Sequence, residues 1–233
     1  PHAGIRDAQE SRGLGDVYKR QGPSIGRSRN TKFAFPVLTK FSIIFGLVSF
    51  VFSAIGGMFP ESEHTHVIGN PFLVSGITIE HVVGHIFWGA IIGLGTLSVR
   101  YIILGGSFAI LIDADHLLQF LDIELVSRMS HSIPFAVIAS IVFFIILRGR
   151  DLRLCVVAFA AVLSHLAFDI FLADVISNSS TTFPLFSPLT FERTELGGLD
   201  WLGIQIIGVG IVAIVSYFVK RKEIRLESNF TKT

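Results

Sequence analysis

YIILGGSFAILIDADHLLQF, running from Tyr101 to Phe120, is the stretch on which the reading of the whole chain turns. It carries no charge through Ile112, and then Asp113, Asp115 and His116 arrive together. About 20 predominantly apolar residues cross roughly 30 Å of hydrocarbon, so the run is of membrane grade. An ionised aspartate near the centre of such a helix costs roughly 2.5–3.5 kcal/mol on insertion scales, and acids found there mark a substrate pathway, a proton relay or a metal.

The composition around that stretch agrees. Hydrophobic residues make up 51% and charged residues 16% of the 233-residue chain, and the mean hydropathy is +0.65. A soluble domain carries about 25% charged residues, so the chain reads as an integral membrane protein. Its net charge of +1 is the balance of basic groups gathered at a few segment ends, which implies no nucleic-acid partner. Cys155 is the single cysteine and lies in an apolar run, which excludes an intrachain disulfide and a cysteine-based metal site. Near the N-terminus, Asp16-Val17-Tyr18-Lys19-Arg20-Gln21 is the translation of GAT GTG TAT AAG AGA CAG, a string that resembles a transposon end used to build sequencing libraries. Residues 1–21, which lack an initiator methionine, are expected to be non-native and are set aside from the fold.

Residues 22–40 form a basic segment with Arg27, Arg29, Lys32 and Lys40, and the first apolar run follows from Phe41 to Phe59. That run exceeds the 7–15 residues of a cleaved signal peptide's apolar region and reads as a signal anchor. Further runs cover Glu80 to Val99, Tyr101 to Phe120, Ile133 to Leu147, Leu154 to Ala173 and Trp201 to Val219. They make a membrane domain over residues 41–219, with a basic tail at 220–233. Gly89 and Gly93 form a small-xxx-small pattern that lets a second helix approach closely. The segment from Glu61 to Phe72, with His64 and His66, reads as a solvated loop, and Asp174 to Gly198 as a loop rich in Ser, Thr and Pro.

Lysine and arginine gather before the first run and after the second, fourth and sixth. The positive-inside rule makes that side cytoplasmic and predicts six spans with both termini inside, in a bacterial cytoplasmic (inner) membrane. The fold expected is all-α, a polytopic bundle of about six transmembrane helices. Glu80, His81, His85, Asp113, Asp115, His116, His131, His165 and Asp169 then all reach the outer leaflet, although charge asymmetry alone set the orientation.

His81 and His85 are four apart, as are His165 and Asp169, while Asp113 and His116 are three apart, so each pair shares a helix face. Bundles project metal ligands inward with this spacing. Asp115 lies about 200° around an ideal helix from Asp113. Either the helix unwinds there, helped by Gly105 and Gly106, or Asp115 serves a second ion or orients a histidine from behind. Imidazole and carboxylate without thiolate suit catalytic zinc, manganese or iron. A divalent cation also offsets the anionic charge of Asp113, Asp115 and Asp169, and with an open position it would lower the pKa of bound water to about 7 for hydrolysis. The competing description is helix capping at a wet membrane face, which suits Glu80 and His81 best.

The same residues carry a resemblance. Gly84-His85-Ile86-Phe87-Trp88-Gly89, Leu111-Ile112-Asp113-Ala114-Asp115-His116, Arg128-Met129-Ser130-His131-Ser132 and Ser164-His165-Leu166-Ala167-Phe168-Asp169 resemble, in order and spacing, the motifs of the YdjM-like family of inner-membrane-associated, metal-dependent hydrolases. Phe183-Pro184-Leu185-Phe186-Ser187-Pro188 is similar to the proline-containing element after that family's last motif. The likeness runs from about Glu80 to Asp200. The chain has Ile112-Asp113-Ala114 where the family has Pro-Asp, and Ser127-Arg128-Met129-Ser130 where it often has His-Arg-Gly, which removes one ligand. The family is similar to zinc-dependent phospholipase C and related nucleases, so the resemblance implies phosphoester chemistry by analogy of fold and ligand type.

The expectation is a metal site of His85, Asp113, His116, His131, His165 and Asp169, with Asp115 bridging or behind them. It would hold one or two ions, zinc first, then manganese or iron. Asp115 and Glu80, with Glu195, are the candidates for direct catalytic roles. The substrate class is a phosphoester, lipid or lipid-linked, entering from the bilayer. A proton-coupled carrier using the same residues as a relay, or an inactive membrane scaffold, are the readings from other classes.

Overall fold

The computed structural model describes residues 35–59, 65–66, 70, 77–121, 125–126 and 128–230. The adapter-like stretch, the basic residues Arg27, Arg29 and Lys32, His64, and Asp122 and Glu124 lie outside them. The described chain is mostly helical: α1 (Phe35–Gly56), α2 (Ile79–Leu94), α3 (Val99–Leu111), α4 (Ile133–Ile146), α5 (Leu152–Phe171) and α6 (Asp200–Phe230). A 3₁₀ helix, Ile112–Leu121, continues α3, and a π-helical turn, Leu172–Ile176, continues α5. β1 (Thr65–His66) pairs antiparallel with β2 (Leu125–Val126), and β3 (Thr181–Phe183) with β4 (Thr194–Leu196).

Among the described residues four helices are long and apolar enough to cross a membrane: α1, α3 with its extension, α5 with its extension, and α6. The other two apolar helices are shorter, at 16 residues for α2 and 14 for α4. At 1.5 Å per residue they reach roughly 24 and 21 Å, short of a 30 Å core. Their starts are fixed locally. Thr78 caps α2 by accepting from the His81 N–H, and Ser132 caps α4 by accepting from the Phe135 N–H, with Pro134 in the first turn. Within the basic tail the chain stays helical, because α6 runs 31 residues and continues past Lys220, Arg221, Lys222 and Arg225.

Helices α2 and α3 form a hairpin in backbone contact. A Cβ on Gly89 would stand 2.3 Å from the Gly105 carbonyl oxygen, and one on Gly93 would stand 2.3 Å from that of Tyr101. The small-xxx-small pattern thus does what the sequence suggested, with α3 as the partner. Against the hairpin lies α5, the most enclosed helix. Phe45 of α1 stacks on Phe108 at 4.5 Å, and Phe108 stacks on Phe143 of α4 at 5.3 Å, closing the core below the 3₁₀ helix. At the end of the bundle marked by basic residues, Asp151 accepts from Arg100 at 3.2 Å and from the Tyr101 hydroxyl at 2.7 Å while capping α5. The Asp and His residues lie at the other ends of α2, α3 and α5. The Ser/Thr/Pro-rich loop is partly folded: Phe183 of β3 packs with Leu166 and Ile170, and Leu185 and Leu196 close over that end of α5.

Candidate metal centre

Four stretches of chain meet at one point. His81 and His85 come from the first two turns of α2, Asp113 and His116 from the 3₁₀ helix, His131 from the residue before the Ser132 cap, and His165 and Asp169 from the last turns of α5. The change of helix type is what lets the second contribute. In a 3₁₀ helix residues three apart eclipse, so Asp113 and His116 stack on one side. A run of ten residues is long for this conformation, which is ordinarily confined to three or four. The helix does change type there, the first of the two alternatives for Asp115, but Gly105 and Gly106 are not themselves unwound. They lie within regular α3, where their missing side chains admit the α2 backbone.

Asp113 is the hub. Its Oδ2 lies 3.2 Å from Nε2 of His81 and 3.7 Å from that of His85, while Oδ1 lies 3.4 Å from Nε2 of His165 and 3.6 Å from that of His131. Asp169 faces it, with Oδ1 3.2 Å from His85 Nε2 and Oδ2 3.4 Å from His165 Nε2. The ring nitrogens also approach one another, at 3.0 Å between His81 and His85 and 2.9 Å between His131 and His165. One nitrogen, His165 Nε2, therefore has an imidazole and two carboxylates around it. A single proton or lone pair cannot satisfy all three. Ligands at about 2.0–2.1 Å from a tetrahedral ion stand roughly 3.3–3.4 Å apart, close to the spacings seen here.

Burial gives the same answer. His85, Asp115, His131 and His165 are essentially inaccessible, and Asp113 and Asp169 nearly so. Carboxylates this deep need compensating charge, and a divalent cation supplies it. The outer contacts orient the rings. His165 Nδ1–H donates to the Ala109 carbonyl at 2.8 Å, so in the neutral ring the lone pair of Nε2 faces inward. His85 and His165 stack at 3.9 Å, and the Phe168 ring packs edge-on against His85. Gly84 makes room for that ring, since a Cβ there would fall 1.9 Å from it.

No family model, no curated protein and no solved structure matches the chain.

Of the expected ligands, His85, Asp113, His131, His165 and Asp169 converge tightly. His116 stands back, with Nε2 3.9 Å from Asp113 and 4.0 Å from Asp115. Asp115 is behind His131, its Oδ2 3.7 Å from Nδ1 of that ring and 3.4 Å from the Ser130 hydroxyl, which is the orienting role. Ligand atoms of Asp115, Asp113 and His116, one from each, still lie within 4.8 Å of one another. Glu80 is exposed on the first turn of α2 and belongs to no ligand grouping. Glu195 is likewise exposed and accepts from Ser180. Neither acid is among the groups that converge on the cluster.

Three contributions go beyond the expected set. His81 joins the ligands, and its spacing from His85 was the available signal. Ser49 of α1 donates to the Ile112 carbonyl at 2.9 Å, and Ser53 accepts from the Ser130 N–H at 3.2 Å, so α1 anchors both the 3₁₀ helix and the turn carrying His131. A serine in an apolar run announces no such role. Ser130 also donates to Ile112 at 3.4 Å. Removing either hydroxyl alone should cost about 1 kcal/mol. Because the two share one acceptor, the Ser49→Ala, Ser130→Ala pair should cost more than the sum, a coupling that a double-mutant cycle on thermal stability reads directly.

Proposed function

We propose that the chain is a six-span inner-membrane protein with both termini in the cytoplasm, and that it acts as a metal-dependent hydrolase on a phosphoester borne by a lipid or lipid-linked molecule. The carrying observation is the convergence of four imidazoles on two facing carboxylates at one end of the bundle. His85, His165, Asp113 and Asp169 would form the central ligand set, with His81 beside His85 on one flank and His131 beside His165 on the other. A divalent ion held there, zinc by donor type, would supply Lewis-acid activation of water for hydrolysis. Asp113 holds Oδ2 toward the His81–His85 flank and Oδ1 toward the His131–His165 flank. Asp115, through Ser130 and His131, keeps an imidazole in register, which makes it a positioning residue. The order of the motifs supports membership in the YdjM-like family, and phosphoester chemistry follows from that resemblance.

A carrier would use the same side chains with access from both sides. The one-ended placement of the cluster, with the Phe45–Phe108–Phe143 stack packed beneath it and the Asp151 contacts at the other end, favours the hydrolase. The test is turnover of phosphodiester and phosphomonoester substrates by detergent-purified protein before chelation, after it, and after reloading with zinc or manganese. Hydrolysis that chelation abolishes and metal restores is expected; metal bound without turnover would favour transport. Asp115→Asn should weaken metal binding about 10–100-fold, the range for lost outer-shell contacts, when measured by competition with a chromophoric chelator. Glu80→Gln should leave both metal affinity and turnover within about twofold, consistent with its exposed position.

A further inference from the structure

We propose that an open apolar groove between α1 and α2, floored by α3, holds the alkyl chain of a phosphate-bearing membrane lipid whose head group reaches the metal cluster. This rests on the hydrolase reading and adds the place where the substrate's chain lies. The groove has a volume of about 470 Å³, within the roughly 300–1,000 Å³ of ligand sites, and Ile86, Ala90, Ile103, Gly106, Ile110 and Leu111 make most of its wall. The hydroxyls of Ser42 and Ser107 are its polar lining. Ile110 lies three residues before Asp113, one helical turn away on the same side, so one end of the groove adjoins a candidate ligand.

The lining argues for a chain, since all of it is apolar except the hydroxyls of Ser42 and Ser107 and it lies on helices that the acyl chains of a bilayer surround. An extended alkyl chain fills such a groove along its length. Passing from bilayer to groove exchanges one apolar surrounding for another, so the phosphate at the metal cluster, and not the groove, supplies the affinity that concentrates the lipid there. The groove's effect is register, setting how far the phosphate stands from the chain.

The full-length protein, in vesicles, is irradiated with a phosphatidic acid carrying a diazirine on one acyl chain. The expected result is labelling concentrated on the α2 and α3 segments that line the groove. Ala90→Phe and, separately, Ser107→Phe fill the space. Each should cut that labelling at least tenfold and slow hydrolysis of long-chain phosphoesters at least tenfold. Turnover of a short-chain, water-soluble phosphoester should stay within twofold, with bound metal unchanged to show that the fold is intact. Labelling spread evenly over the outward faces and unaltered by both variants would overturn the proposal. So would equal loss on both substrates, or a second copy of the chain cross-linked across the groove. Selective, blockable labelling without turnover of any ester would support the chain site and count against the hydrolase reading alone.

Discussion

Asp113→Asn is expected to abolish stoichiometric metal binding while leaving the metal-free protein at least as stable as the parent. Asparagine keeps the shape of the side chain and removes its charge. Asp113 has imidazole nitrogens of His81, His85, His131 and His165 within 3.7 Å, and Asp169 faces the same rings. If the site is made for a cation, the empty form holds two carboxylates close together in a poorly solvated place, and neutralising one relieves repulsion. A purely structural network of protonated histidines and carboxylates gives the opposite sign, because breaking a buried pair costs about 3–5 kcal/mol. Thermal denaturation in detergent separates the two. With metal at a thousandfold excess over Kd, the parent should gain about 4 kcal/mol and the variant should gain none. His165→Ala should also lose metal, by more than the roughly 10–100-fold of an outer-shell change, since its Nε2 lies within 3.4 Å of both acids.

Gly89→Leu should have the largest effect of any change outside the ligands. The added Cβ would meet the Gly105 carbonyl oxygen at 2.3 Å and the Ala109 Cβ at 2.6 Å. Backbone cannot swing aside as a side chain does, so α2 and α3 must part by about 1 Å or more. Overpacking in a close-packed interior costs about 1–3 kcal/mol and more where backbone is involved. The separation also draws His81 and His85 away from Asp113, so metal content should fall together with the melting temperature. Gly210→Leu is the control. That glycine has nothing within 4 Å of its would-be Cβ, and both readouts should stay at parental values. Equal behaviour of the two variants would show that the hairpin does not set the ligand geometry.

How much of this was legible in the residues follows from the range over which each feature is determined. Ligand pairs separated by three or four positions on one helix are local, so His81 with His85 and His165 with Asp169 could be read from spacing. The convergence of separate helices at one end followed from the placement of lysine and arginine, which fixes the direction of each run. The change from α to 3₁₀ at Ile112 is set by tertiary contacts, the Ser49 and Ser130 hydroxyls on the Ile112 carbonyl, and carries no local signal. For the same reason the first run could be read as a span of the membrane domain without showing that its serines hold the 3₁₀ helix and the turn before α4. The Asp174–Gly198 stretch looked like open loop because β3 and β4 are only three residues each and gain their order from Leu166 and Ile170 beneath them. Among the acids, Glu80 looked eligible by proximity in sequence to His81, yet a helix turn presents neighbours in different directions. The expected run at α2 was too long at its C-terminal end, where apolar residues continue to Val99 but the helix stops at Leu94, while α4 at Ile133–Ile146 keeps the short run read from Ile133 to Leu147.

X-ray absorption at the edge of whichever metal the purified protein retains tests the central claim most directly. The cluster should hold one or two ions per chain, with nitrogen and oxygen neighbours at about 2.0–2.1 Å for zinc, outer scattering from several imidazoles, and no sulfur. Protein that keeps less than a stoichiometric ion after loading and dialysis, or whose ion shows no imidazole scattering, would contradict a centre built from His85, His131, His165, Asp113 and Asp169.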